Sequence, residues 1–211
     1  MGFLSNLLGK KEDPLKKFAQ EIGKLIEDEN YQNSMMNELI RSKVITGASV
    51  DKLSGATGHF GFDLENPIPV NGAIGELAYL SRLETNQKEQ LLFHRIGAVN
   101  MIDVFEAVTY SGSSWYIFFM DFYHPRRSKL APKGFRIAAL PRQFSGFNKY
   151  CPNFPYDFLE KKESERNSGL LMAYIPSNNI LSQIKNQVFK RPEIHSTKIK
   201  IIQSALTSFQ K

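Results

Sequence analysis

Apolar positions three and four residues apart dominate the first forty residues, and the period changes further on. Leu15, Phe18, Ala19, Ile22, Leu25 and Ile26 recur at helical spacing, while Lys16, Lys17, Glu21, Lys24 and Glu27 fill the other side. Asp13 and Pro14 stand where an N-cap and a first helical residue belong, so a helix is predicted from that point. Met35, Met36, Leu39 and Ile40 predict another helix over 33–41, with those side chains turned inward. Ahead of both, Phe3, Leu4, Leu7 and Leu8 form a short apolar stripe before Lys10 and Lys11.

The pattern then dissolves. Residues 46–76 hold six of the 14 glycines and two prolines, which predicts a long irregular connection. Beyond it, 77–83, 91–96, 101–109 and 114–123 are rich in branched and aromatic residues, separated by short polar or glycine-bearing links. Links this short predict antiparallel pairing, and 134–139 offers a fifth strand. The run "WYIFFMDFY" is apolar on both faces, which predicts a central strand covered from both sides.

Residues 125–155 carry five of the 10 prolines, so long regular structure is not expected there. The density of aromatics argues that this part is nevertheless ordered against the body. "GLLMAYIP" reads as a further strand. Ser177 or Asn178 then caps a helix carrying Ile180, Leu181, Ile184, Val188 and Phe189. In the tail, Ile199, Ile202, Leu206 and Phe209 favour a final helix, although "KIKI" leaves a strand open.

The expected fold is therefore α+β: an antiparallel β-sheet meander of about four to six strands, with N-terminal and C-terminal helices packed on it. Residues 1–12 form a short amphipathic segment set apart from a single domain over 13–211. Within that domain, 13–42 is helical, 77–140 a β-rich core, 141–168 irregular, and 170–211 strand plus helices.

Composition adds bounds. A hydrophobic content of 42% over 211 residues suffices for a real core. The lone cysteine, Cys151, has no partner for an internal disulfide, which points to a reducing compartment. No apolar run approaches the roughly 20 residues of a spanning helix. The N-terminus does not read as a signal peptide, since its lysines follow the apolar stretch. It also misses a myristoylation pattern at Asn6. A cytoplasmic protein is expected.

Charge changes the picture more. Residues 1–121 carry 11 Lys and Arg against 16 Asp and Glu, whereas 122–149 carry 7 against 0. Tyr123, His124, Arg126, Arg127, Lys129, Lys133, Arg136 and Arg142 make this basic, aromatic loop the candidate binding surface. Two readings of it stand side by side: a contact for an anionic or protein partner, or a loop neutralised by the acidic first half.

Other chemistries have weaker signals. His59, His94, His124 and His195 lack metal-ligand spacing, and no metal or cofactor is expected. "SGATGHFG" lacks the ending of a phosphate loop. Asp103 and Glu106 are separated by an odd number, which puts them on opposite faces of a strand.

The leading expectation is a non-enzymatic binding or adaptor module using the basic loop. A nucleic-acid binder is one alternative. Another is an enzyme with a dispersed site drawn from Glu76, His94, Asp121, His124 and Cys151. The stripe Phe3, Leu4, Leu7 and Leu8 leaves a peripheral membrane contact open.

Overall fold

The computed structural model describes residues 14–139, 145–159, 184 and 186–208. Asp13, Arg142, the apolar stripe of 1–12, the "GLLMAYIP" strand and most of the helix expected after it lie outside the described residues.

The chain opens with α1 (Pro14–Glu27), α2 (Glu29–Ser34) and α3 (Glu38–Thr46). The single helix expected over 33–41 is in fact a junction between two. Asp28 Oδ1 accepts the Tyr31 N–H at 3.0 Å and starts α2, and Asn37 Oδ1 accepts the Ile40 N–H at 3.0 Å and starts α3. Two N-caps nine residues apart leave no room for one continuous stripe. Met35 and Leu39 are consequently exposed, Leu39 to 81%.

The inward residues of α2 are polar instead. Gln32 donates to the Leu25 carbonyl at 2.7 Å and Asn33 to the Pro125 carbonyl at 2.9 Å. Asn71 in turn donates to Gln32 Oε1 at 2.7 Å and Asn33 Oδ1 at 3.1 Å. Each buried amide thus finds partners that secondary structure would not supply.

The expected strand over 77–83 is a helix, α4 (Gly72–Arg82), followed by the short strand β2 (Leu83–Thr85). Eight of the 11 residues of α4 are buried. It lies between α1 and α2 on one side and the sheet on the other. Burial on so many sides removes the polar face that makes a helical period visible.

The main sheet has the order β1-β5-β4-β3-β7. Its centre is the antiparallel meander that the sequence predicts: β3 (Leu91–Val99), β4 (Ile102–Thr109) and β5 (Trp115–Asp121). Both edges depart from it. β1 (Ile68–Pro69) joins β5 in parallel, and β7 (Gly146–Phe147) joins β3 in parallel. These two-residue edges come from the irregular connection and the proline-rich segment, and a proline at an edge breaks no ladder. β6 (Phe135–Ile137) lies outside this sheet and pairs with β2 in a second, two-stranded one. The architecture is α+β with a mixed sheet.

The two faces of the sheet build separate cores. Phe93, Phe105, Phe118 and Met120 pack under Leu77, Leu80 and Leu83 on the first. On this face Phe118 lies 5.4 Å from the rings of both Phe62 and Phe135. On the second face, Ile96 and Val104 meet Ile199 of the last helix, α6 (Glu193–Ser208), while Leu92, Val108 and Phe147 meet Phe154 and Phe189. A short helix, α5 (Tyr156–Leu159), lies between them in sequence.

One sequence expectation fails here in an informative way. β5 is apolar on both faces, and the first is the better covered: Phe118 and Met120 are buried there and Tyr116 is half-buried, while Trp115, Ile117 and Phe119 on the second are all half-buried. α6 lies mainly over β3, and β5 sits beside a two-residue edge, so the row is left at the margin of the second core.

Among the described residues, no helix is long and apolar enough to cross a membrane.

Candidate functional site

Three places hold chemistry: a polar cluster on each face of the sheet, and a cleft beside β5. The clusters follow from strand parity, since Asp103 faces α4 and Glu106 faces α6.

Glu106 is 1% exposed and receives four hydrogen bonds. Its Oε1 accepts from Arg191 Nε at 2.6 Å and His195 Nε2 at 3.0 Å. Its Oε2 accepts from His94 Nε2 at 2.8 Å and Arg191 Nη2 at 2.9 Å. The tautomer of His94 is set by its other nitrogen, which accepts the Cys151 N–H at 3.0 Å. Burial holds the His94 pKa below its ordinary value, so the ring is a neutral donor. Burial alone would raise the Glu106 pKa. The bonds from His195, His94 and Arg191 outweigh it and hold the carboxyl at about 2. The Arg191 guanidinium also lies 5.2 Å from the centre of the Trp115 ring. This cluster ties α6 and the segment before it to β3 and β4.

The cluster on the first face is of opposite character. Glu76 of α4 is fully buried, and neither of its carboxyl oxygens accepts a hydrogen bond from the described residues. An ionised carboxylate there would be uncompensated. Burial, and then the neighbouring Asp103 carboxylate, push the Glu76 pKa well above the ordinary range. Protonated Glu76 is itself a donor, with Asp103 beside it as acceptor. Asp103 Oδ1 also accepts from Arg95 Nη2 at 2.6 Å.

Asp121 lies at the edge of the same group. Its Oδ1 accepts the Tyr123 N–H at 3.2 Å and its Oδ2 accepts from His124 Nε2 at 3.1 Å. The other His124 nitrogen faces the Ala48 carbonyl at 2.7 Å, so both nitrogens must donate and the ring is an imidazolium. Burial opposes this charge, but Asp121 and the Ala48 carbonyl raise the His124 pKa above its usual value.

A pH prediction follows for Glu76. Its folded pKa lies above its unfolded one, so its contribution is full below the ordinary carboxylate range and is lost as pH rises through the folded value. Glu76→Gln keeps a donor for Asp103 and cannot ionise. The urea midpoint of the parent should fall more steeply than that of Glu76→Gln as pH rises above the ordinary carboxylate range. Parallel profiles would mean that Glu76 is ionised throughout.

The candidate loop residues are placed as follows. Tyr123 and His124 border the Glu76 cluster. Arg126 donates to Asp51 Oδ1 at 2.6 Å and to Ser49 Oγ at 2.9 Å. Arg127 is buried and donates to Glu29 Oε1 at 3.2 Å, the Ile26 carbonyl at 2.8 Å and the Glu27 carbonyl at 3.1 Å. Arg136 pairs with Glu84 at 2.6 Å. The Lys129 backbone N–H donates to Asp51 at 2.8 Å, while the Lys129 and Lys133 residues are exposed. Arg142 is outside the described residues. The carboxylates Glu29, Asp51 and Glu84 all belong to the acidic first half of the chain.

The dispersed set of Glu76, His94, Asp121, His124 and Cys151 divides between the two faces. Glu76 lies on the first face, the bonded pair Asp121 and His124 sits at the end of β5 where Asp121 acts on Glu76 only through space, and His94 meets the Cys151 backbone on the second face. Arg95, Arg191 and His195 are the participants that sequence reasoning missed. A signal for His195 exists: it precedes Ile199 by four residues on the inward stripe of α6. Among the described residues, no group of His, Cys, Asp and Glu could hold a metal ion.

The third place is the cleft between β5 and α6, with a volume of about 490 Å³. One wall is the half-buried row Trp115, Ile117 and Phe119, and the other is His195, Lys198, Ile201 and Ile202 of α6. Phe62, Asp63 and Leu64 reach in from the irregular connection. Ile201 remains 62% exposed.

Comparison with known proteins finds no matching family model, no match among curated proteins and no match among solved structures.

Proposed function

We propose that the protein is a binding module whose ligand surface is the cleft between β5 and α6. The observation that carries this reading is the half-covered row Trp115, Ile117 and Phe119 on a strand that is apolar on both faces. Covering such surface is favourable by roughly 25 cal/mol per Å². The cleft's volume falls within the range of about 300–1,000 Å³ typical of small-molecule sites.

The basic loop supports a binding role less directly. Arg126, Arg127 and Arg136 already have carboxylate partners in the chain. Contact with an anionic or protein partner would therefore fall to the exposed Lys129 and Lys133. The same holds for nucleic acid, where retention on a polyanion column with steep salt dependence is the relevant measurement.

The chain has one tryptophan, and it lines the cleft. Straight-chain alkyl compounds, titrated below their micelle concentration, should shift Trp115 emission saturably. Phe119→Asp should abolish that shift while leaving the far-ultraviolet circular dichroism unchanged. Absence of any saturable shift in the parent protein would remove the cleft as the binding surface.

A further inference from the structure

The His94 ring is held from two sides in a way that only its neutral form permits. Its Nε2 donates to Glu106 Oε2 at 2.8 Å, and its Nδ1 accepts the Cys151 N–H at 3.0 Å. A second proton on the ring has to go to Nδ1, where it would meet the Cys151 N–H head on. Two donors at that distance repel each other, and the His94 side chain is only 1% exposed.

The ring has little room to turn away. Glu106 fixes one edge of it, and Glu106 is itself held by Arg191 and His195. Phe154 stacks on the ring at 4.3 Å, and the Tyr150 ring lies 5.6 Å from it. Tyr150, Cys151 and Phe154 belong to one stretch, 148–154, which leaves β7 and joins the second core beside Leu92 and Val108. Both ends of this stretch are tied without the His94 side chain. Phe147 pairs with β3, and the Phe154 carbonyl accepts from Arg191 Nη2 at 3.4 Å. The middle of the stretch is thus the part that a repelled Cys151 N–H would move.

The surrounding charges decide when this happens. Burial disfavours a charged ring most strongly. Glu106 of β4 favours one, Arg191 ahead of α6 opposes it, and Asp157 of α5 favours it. His195 of α6 faces the same Glu106 carboxylate, and the Lys149 ammonium lies 5.8 Å from the centre of the Phe147 ring. The sum holds the His94 pKa below its ordinary value. The closed arrangement is therefore complete above that ordinary value and weakens as pH falls below it.

We infer that His94 is an acid-sensitive latch: protonation of its ring breaks the bond to the Cys151 N–H, and the stretch 148–154 lifts off the second core while its ends stay in place. Opening uncovers Cys151, which is 5% exposed when the latch is closed, together with apolar surface of Leu92 and Val108.

Hydrogen exchange of the Cys151 amide, followed by NMR in the parent protein, tests this. Its protection relative to a free amide should fall by up to about tenfold per pH unit from about pH 7 to about pH 5, the slope for uptake of one proton. Amides of the β3–β4 ladder should keep their protection over the same range. In His94→Asn an amide oxygen replaces Nδ1 as the acceptor and does not titrate, so Cys151 protection should no longer depend on pH. Constant Cys151 protection in the parent would overturn the latch. A fall shared by the β3–β4 amides would overturn it as well, since that is global unfolding. A fall that persists in His94→Asn would overturn the assignment to His94. If His94→Asn does not fold, the two measurements on the parent still decide.

Discussion

Glu106→Ala is expected to lower the stability of the protein by about 3–5 kcal/mol, the cost of breaking a buried ion pair by removing one partner. The substitution leaves Arg191, His195 and His94 with donors aimed at a void that water cannot fill as a carboxylate did. Such a loss is a large part of the roughly 5–15 kcal/mol that holds a domain together. Urea denaturation followed by circular dichroism measures it, and a loss below about 1 kcal/mol would mean that the four hydrogen bonds are replaceable. Since His195 and Arg191 reach Glu106 from α6 and the segment just before it, detachment of α6 should precede global unfolding in hydrogen exchange.

The acid limb of the stability curve gives an independent check. Glu106 titrates at about 2 in the fold, against 4.5 for the free group. Its contribution is therefore complete above about pH 4.5 and lost as pH falls from there towards about 2. That displacement corresponds to about 3 kcal/mol, in line with the mutational cost. Glu106→Gln should flatten this part of the curve.

Arg127→Glu should cost a comparable amount, about 3–5 kcal/mol, because it brings a carboxylate against Glu29 and two carbonyls at a buried position. Arg126→Glu faces Asp51 at a more exposed position, where ion pairs are worth roughly 0–1 kcal/mol, and should cost much less. Thermal unfolding of the two variants separates these cases. Equal and small effects for both would mean that Arg127 does not pin the basic loop to α1 and α2.

Arg127 also shows where sequence reading stops. Seven cations without an acid in 122–149 signal either a partner or internal compensation, because a charge count carries no direction. The partner of Arg127 is Glu29, 98 residues earlier, and only the packing of α2 against the loop brings it near. The same holds for Glu106, whose partners come from 12 to 89 residues away. Parity alone did place Asp103 and Glu106 on opposite faces, since alternation is a local property of any strand.

What the sequence by itself determined was local. The branched and aromatic runs over 91–123 and the short links made the three-strand antiparallel centre legible, and the spacing of Ile199, Ile202 and Leu206 made the last helix legible. α4 escaped because eight buried residues in 11 leave no polar face from which to read a period. The parallel edges β1 and β7 escaped because two-residue strands carry no pattern and are chosen by what lies next to them. The cleft lies between these cases. The sequence shows that "WYIFFMDFY" is apolar on both faces, but the position of α6 over β3 decides which face stays open, and that depends on Glu106 meeting His195 and Arg191 across the folded chain.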